Sequence, residues 1–131
     1  MQVDSQKLAN EWFESGLSDY KYAKVGLKEE EVYPQIAFLS QQIAEKYLKG
    51  FLILNGINIQ KIHELPKLLD EGVKFNMELE KLRDVCELLT GFYTEVRYPP
   101  DIPDYTKDEI LEAFNNAKLV KDIIQSITQW T

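Results

Sequence analysis

The sequence predicts an all-α protein, an antiparallel bundle of four long helices and one short helix. Apolar residues recur at three- and four-residue intervals through four separate stretches. No stretch alternates with period two over a useful length, so no strand is expected. Prolines, glycines and N-cap residues punctuate the chain where those helical stretches begin and end.

The first helix is expected to start near Asp4 or Ser5, both good N-caps. Leu8, Trp12, Tyr20, Ala23 and Leu27 recur along it at helical spacing. Gly16 carries a helix-propensity cost, which a close approach by a neighbouring element would offset. Lys28-Glu29-Glu30-Glu31 reads as a solvated connector, and Pro34 marks the next helix start. From Tyr33 to about Asn55, one stripe is formed by Ile36, Leu39, Ile43, Tyr47, Phe51 and Leu54. Ala37, Ala44, Leu48 and Leu52 widen it. A helix this apolar is wrapped on more than one side, at the centre of the bundle or against a second subunit. Its polar residues Gln42, Glu45, Lys46 and Lys49 gather on one face.

Asn55-Gly56 signals the end of that helix. His63-Glu64-Leu65-Pro66 opens a brief helix that ends at Gly72. A fourth helix is expected from about Glu78 to Tyr93 or beyond, carried by Leu79, Leu82, Cys86, Leu89, Tyr93 and Val96. The run from Arg97 to Tyr105 holds three prolines in five residues, which forbids a regular helix there. Thr106 to Glu109 is a capping box. Behind it, the last helix buries Ile110, Ala113, Phe114, Ala117, Val120, Ile124 and Ile127.

The 131 residues suit one domain, long enough to bury a core without covalent staples. The lone Cys86 sits among Val85, Leu88 and Leu89 and reads as a buried, inert thiol. One cysteine and one histidine do not furnish an all-protein zinc site, and no cofactor is expected beyond a nucleotide ligand. No signal peptide and no apolar stretch of membrane-spanning length is apparent, so a cytoplasmic location and no membrane partner are expected. The net charge of −7 argues against nucleic-acid binding over the whole surface, though not against a local basic patch. Walker and dinucleotide glycine motifs are absent, as is the Glu-x-x-His pair of di-iron bundles.

Four groups bear on function. Arg97 stands where a helix ends and a rigid loop begins. Its guanidinium either forks onto a phosphate or bonds helix-end carbonyls, Asp101 or Asp104. Tyr105, with Tyr98 nearby, stacks on a base or packs the loop onto the bundle, packing being the stronger reading. Lys46 and Lys49 together meet an anion, or Lys49 pairs with Glu45 one turn away on a solvated face. His63 caps a backbone group at a helix start or acts in acid–base chemistry, with the structural role preferred.

The run Gln41-Gln42-Ile43-Ala44-Glu45-Lys46-Tyr47-Leu48-Lys49-Gly50 resembles the central-helix signature of HEPN domains (higher eukaryotes and prokaryotes nucleotide-binding). Asp19 to Ala23, His63-Glu64-Leu65 and Arg97-Tyr98-Pro99 resemble further elements of that family in matching order. The resemblance spans about residues 8 to 127. It implies a helical bundle that dimerises, a nucleotide or RNA ligand, and a minimal nucleotidyltransferase partner, often in a toxin–antitoxin pair. Active members of the family are metal-independent ribonucleases with a histidine following the arginine after four to six residues. Counted from Arg97, that histidine would fall at Ile102, Pro103 or Asp104, and none is histidine. The resemblance therefore carries Arg97 over as a phosphate contact but does not carry over the nuclease. Lys46 and Lys49 match the family's central helix, where they serve a ligand or the dimer. Three functions follow as expectations: a nucleotide- or RNA-binding module, a ribonuclease with an unconventional base, and a purely structural dimerisation bundle.

Overall fold

The computed structural model describes residues 5–58, 62–92 and 104–130. Its helices are α1 (Ser5–Gly26), α2 (Tyr33–Leu54), α3 (Leu65–Val73), α4 (Arg83–Thr90) and α5 (Lys107–Thr128). Short 3-10 segments at Glu30–Val32 and Met77–Leu82 precede α2 and α4. No strand occurs among the described residues. The expected all-α bundle is the observed fold, with α2 at its centre. Helices α1 and α5 pack along α2, and α3 and α4 close its remaining side. Fourteen of the 22 residues of α2 are buried, which is why its apolar stripe was so broad.

The caps follow the local chemistry. Asn55 ends α2, and Gly56 takes a φ of 82°. The amides of Gly56 and Ile57 then reach back to the carbonyls of Ile53 and Leu52, both at 2.9 Å. That pair of bonds is the Schellman arrangement, and its left-handed residue favours glycine. At the start of α5, the Thr106 hydroxyl accepts from the Glu109 amide while the Glu109 carboxylate accepts from the Thr106 amide. The N-cap expected at Asp4 lies outside the described residues.

The fourth helix begins differently from the expectation. The Asn76 side chain accepts from the Glu78 amide at 2.9 Å, and the turns that follow are 3-10, with α geometry beginning only at Arg83. A 3-10 helix superposes residues three apart. Leu79 and Leu82 are therefore both buried, as an α-helix would also bury them. Apolar spacing alone does not distinguish the two geometries. The helix is also shorter than expected. It ends at Thr90, where the Gly91 and Phe92 amides turn back to the carbonyls of Leu88 and Leu89, so α4 is a short helix rather than a fourth long one. Tyr93 and Val96 lie outside the described residues.

The contact between α1 and α2 depends on two glycines. A Cβ on Gly16 would stand 2.7 Å from a Tyr47 ring carbon, and one on Gly50 would stand 2.5 Å from the Phe13 ring. Each glycine thus makes room for an aromatic ring of the other helix. Phe13 and Tyr47 stack at 5.5 Å. Gln129, left-handed at φ 57°, ends α5 and brings Trp130 to 5.3 Å from Phe13. Tyr20 stacks on Phe114 at 5.0 Å and joins α1 to α5.

Two predictions follow from this packing. Gly50→Ala should lower unfolding free energy by about 1–3 kcal/mol, because the Phe13 ring is too enclosed to yield and overpacking outweighs the gain in helix propensity. Urea denaturation measures it, and a variant as stable as the parent would show that the helices separate freely. Burial pushes the Cys86 thiol up to about 12 from its usual 9.0. The folded protein should therefore resist a disulfide reagent at pH 8 and react fully once unfolded. The unfolded thiol ionises first as pH rises, so this group should reduce stability between about pH 9 and 12.

Candidate functional site

Helix α2 carries an ion cluster inside the bundle. Glu45 and Lys49 lie one turn apart and are only 5% and 3% exposed. Charges this deeply buried persist only when paired and hydrogen-bonded. Lys49 Nζ lies 2.7 Å from Glu45 Oε2. Gln41 Nε2 donates to the other carboxylate oxygen at 3.1 Å, and Gln42 donates in turn to Gln41. The segment ahead of α3 adds His63, whose Nδ1 stands 2.9 Å from the same Oε2. Trp12 of α1 covers the cluster, with its ring centroid 5.4 Å from Lys49 Nζ.

The distances assign the tautomer of His63. Lys49 only donates hydrogen bonds, so its 3.3 Å contact with Nδ1 would require a lone pair there. That lone pair would then face the carboxylate at 2.9 Å, which is repulsive. Placing the proton on Nδ1 satisfies the shorter and stronger contact, to Glu45. In the neutral ring the lone pair then belongs to Nε2. The imidazole is 49% exposed, in contrast to the carboxylate that orients it.

Lys46 goes elsewhere. Its Nζ lies 2.7 Å from an Asp19 carboxylate oxygen and 2.8 Å from the Ser15 hydroxyl, both on α1. The face shared by Gln42, Glu45, Lys46 and Lys49 is thus covered by α1 rather than solvated. Because α1 runs antiparallel along α2, Lys46 meets Ser15 and Asp19 while Lys49 meets Trp12. The two lysines do not form one anion site, since each is already paired with a carboxylate. His63 likewise bonds a side chain of α2 and precedes α3, which begins at Leu65. Tyr105 is half-buried, with its ring edge-on to Phe92 at 5.5 Å, the packing role preferred from the sequence. Arg97 and Tyr98 lie outside the described residues.

An open cleft of about 540 Å³ adjoins the cluster. Ser5, Leu8 and Trp12 line it from α1, Lys49 and Ile53 from α2, and Gly56, Ile57 and Asn58 from the chain that follows. The central place of Glu45 and the part played by Gln41 and Trp12 did not emerge from the sequence. Their signal was the i, i+4, i+8 spacing of Gln41, Glu45 and Lys49 on a helix otherwise wrapped in apolar residues. A polar stripe on such a helix is covered and internally paired.

Comparison with known proteins places the chain in a family. A family model for the HEPN domain matches residues 9–127. The chain belongs to the HEPN family. A candidate toxin of Methanocaldococcus jannaschii, MJ1304, is 30% identical to it, the match covering 91% of this chain and 87% of that protein. The crystal structure of the archaeal HEPN homologue ST0689 superposes with a TM-score of 0.74 at 24% identity, covering 90% of this chain and 95% of the other. The HEPN bundle thus accounts for the order and packing of the helices. Among the described residues, no helix of this HEPN chain is long and apolar enough to cross a membrane.

Glu45→Ala should destabilise the protein by about 3–5 kcal/mol, because Lys49 would remain buried without its carboxylate. The double variant Glu45→Leu with Lys49→Met should recover most of that loss. Urea denaturation of the single and double variants checks it. A loss below 1 kcal/mol in the single variant would mean that Lys49 finds solvent on its own.

Proposed function

We propose that this HEPN chain is an RNA- or nucleotide-binding module of a toxin–antitoxin pair, acting as a homodimer with a minimal nucleotidyltransferase partner. The observation that carries the reading is the similarity to a candidate toxin across nearly the whole of both chains. Arg97 supplies the phosphate contact, since a guanidinium can fork onto two phosphate oxygens at once. The prolines at 99, 100 and 103 restrict the backbone beside it, which reduces the entropy lost on binding. Lys46 and Lys49 act through the bundle in this reading, because both are held by carboxylates.

A second reading, a metal-independent endoribonuclease, is favoured by one observation. The chain's sole histidine does not follow Arg97, yet a buried carboxylate orients it. An oriented, half-exposed imidazole is a suitable general base.

Isothermal titration with ATP, other nucleotides and short single-stranded RNA tests the binding reading. Binding should occur with at least one of these ligands, and Arg97→Ala should weaken it about tenfold or more, the order expected for losing a charge-assisted phosphate contact. The absence of binding to every ligand would remove the nucleotide and RNA parts of the proposal.

A further inference from the structure

We propose that Asn55-Gly56, the junction that closes α2, is a covalent self-modification site. The Gly56 nitrogen attacks the Asn55 side-chain amide, and the Schellman turn restrains that reaction until the end of the helix opens. The site needs no ligand and lies on the rim of the cleft.

Asn55 is the one asparagine of the sequence that precedes a glycine. Asparagine amides are thermolabile, and a following glycine has no Cβ to screen its backbone nitrogen. Both residues are exposed, and nothing stands within 4 Å of where a Gly56 Cβ would lie, so water and hydroxide reach the junction. The folded geometry nevertheless engages both reacting groups. Asn55 Nδ2 donates to the Phe51 carbonyl at 2.8 Å, which turns the side chain back along its own helix. The Gly56 amide donates to the Ile53 carbonyl at 2.9 Å, and the Ile57 amide ties the turn to the Leu52 carbonyl at 2.9 Å. An N–H held by a carbonyl must be released before it can ionise and attack. Ring closure therefore requires the last turn of α2 to open, a local event that costs less than global unfolding.

In the step assigned here, the Gly56 nitrogen gives its proton to hydroxide and bonds to Cγ of Asn55. The bond from Cγ to Nδ2 breaks, and Nδ2 takes a proton from water and leaves as ammonia. Water then opens the cyclic imide at either carbonyl, giving aspartate or isoaspartate at position 55, with no change of oxidation state. Either product places a carboxylate at the negative end of the helix dipole and offers no N–H to the Phe51 carbonyl. The isoaspartyl product also lengthens the backbone by a methylene, so the Gly56 and Ile57 amides lose register with Ile53 and Leu52. Gly56, Ile57 and Asn58 line the cleft, so its wall is released with the turn.

The test incubates the full chain at mildly alkaline pH, folded or unfolded in guanidinium chloride. Peptide mapping and an isoaspartyl methyltransferase follow residue 55. The unfolded chain should accumulate aspartate and isoaspartate there ahead of every other asparagine. The folded chain should do so about tenfold more slowly or less, the order set by hydrogen bonds that must break first. Gly56→Asn keeps a residue that tolerates the left-handed turn but screens the nitrogen with a side chain, and should slow the reaction about tenfold even when unfolded. Ile57→Pro leaves Asn55-Gly56 intact but removes the Ile57 donor, and should speed modification of the folded chain about threefold or more. Asn55→Asp reproduces one product and should speed hydrogen exchange of the amides at 55 to 57 about tenfold. Thermal melting checks that each variant folds, and the folded-against-unfolded comparison needs no variant. Equal rates in folded and unfolded wild type, or an unchanged rate in folded Ile57→Pro, would overturn the turn as the restraint. An unfolded chain without isoaspartate at residue 55, or undiminished modification in Gly56→Asn, would overturn the site itself. Unchanged exchange in folded Asn55→Asp would overturn the release of the cleft wall.

Discussion

The close approach of α1 to α2 governs the rest of the molecule. Phe13 occupies the space left by the missing side chain of Gly50, and Tyr47 occupies that left by Gly16. Two such contacts, one in each direction, set both the separation of the helices and their antiparallel register. Close-packed interiors transmit such constraints because aromatic rings have little room to rearrange. The register then decides the polar contacts. Lys46 meets Ser15 and Asp19, while Lys49 comes under Trp12. The cleft lies further along the same seam, between the beginning of α1 and the end of α2.

Enclosure of α2 also explains the energetics of the ion cluster. A helix buried on nearly every side leaves few places for charge, and those charges must be neutralised locally. Glu45 receives hydrogen bonds from Gln41, Lys49 and His63, drawn from its own helix and from the segment ahead of α3. No buried side-chain polar atom lacks a partner among the described residues. Such a cluster adds little net stability over apolar packing, but losing one member is costly. It therefore acts as a constraint on geometry, joining the segment before α3 to the central helix at one defined point.

The end of the chain is tied to this same core. Gln129 adopts a left-handed conformation, unusual for a residue other than glycine, and the reversal brings Trp130 against Phe13 and Tyr47. The cost of that conformation is offset by burying indole surface against two rings. Phe13 is thereby held by Gly50 on one helix, Tyr47 on the same helix, and Trp130 beyond α5.

The fold class, the order of helices and most of their boundaries were legible in the sequence, because they depend on local chemistry. The apolar spacing of α2 and α5, the capping box at Thr106 and the turn at Gly56 act within a few residues. The resemblance of residues 41–50 to a HEPN central helix was likewise readable as a contiguous run. The 3-10 geometry at Met77–Leu82 was not, because a three-residue spacing satisfies either helix. The partners of Lys46, Lys49 and His63 were also beyond local reading. Lys46 and its α1 partner Asp19 are separated by 27 positions, and His63 and Glu45 by 18. Separations of that kind carry no periodic signature, since side-chain pairing across helices depends on register. The amino-acid sequence by itself determined which segments become helices and which faces must be buried. Only the tertiary structure decided that α1 would cover the polar face of α2, because interhelical steric fit sets that choice.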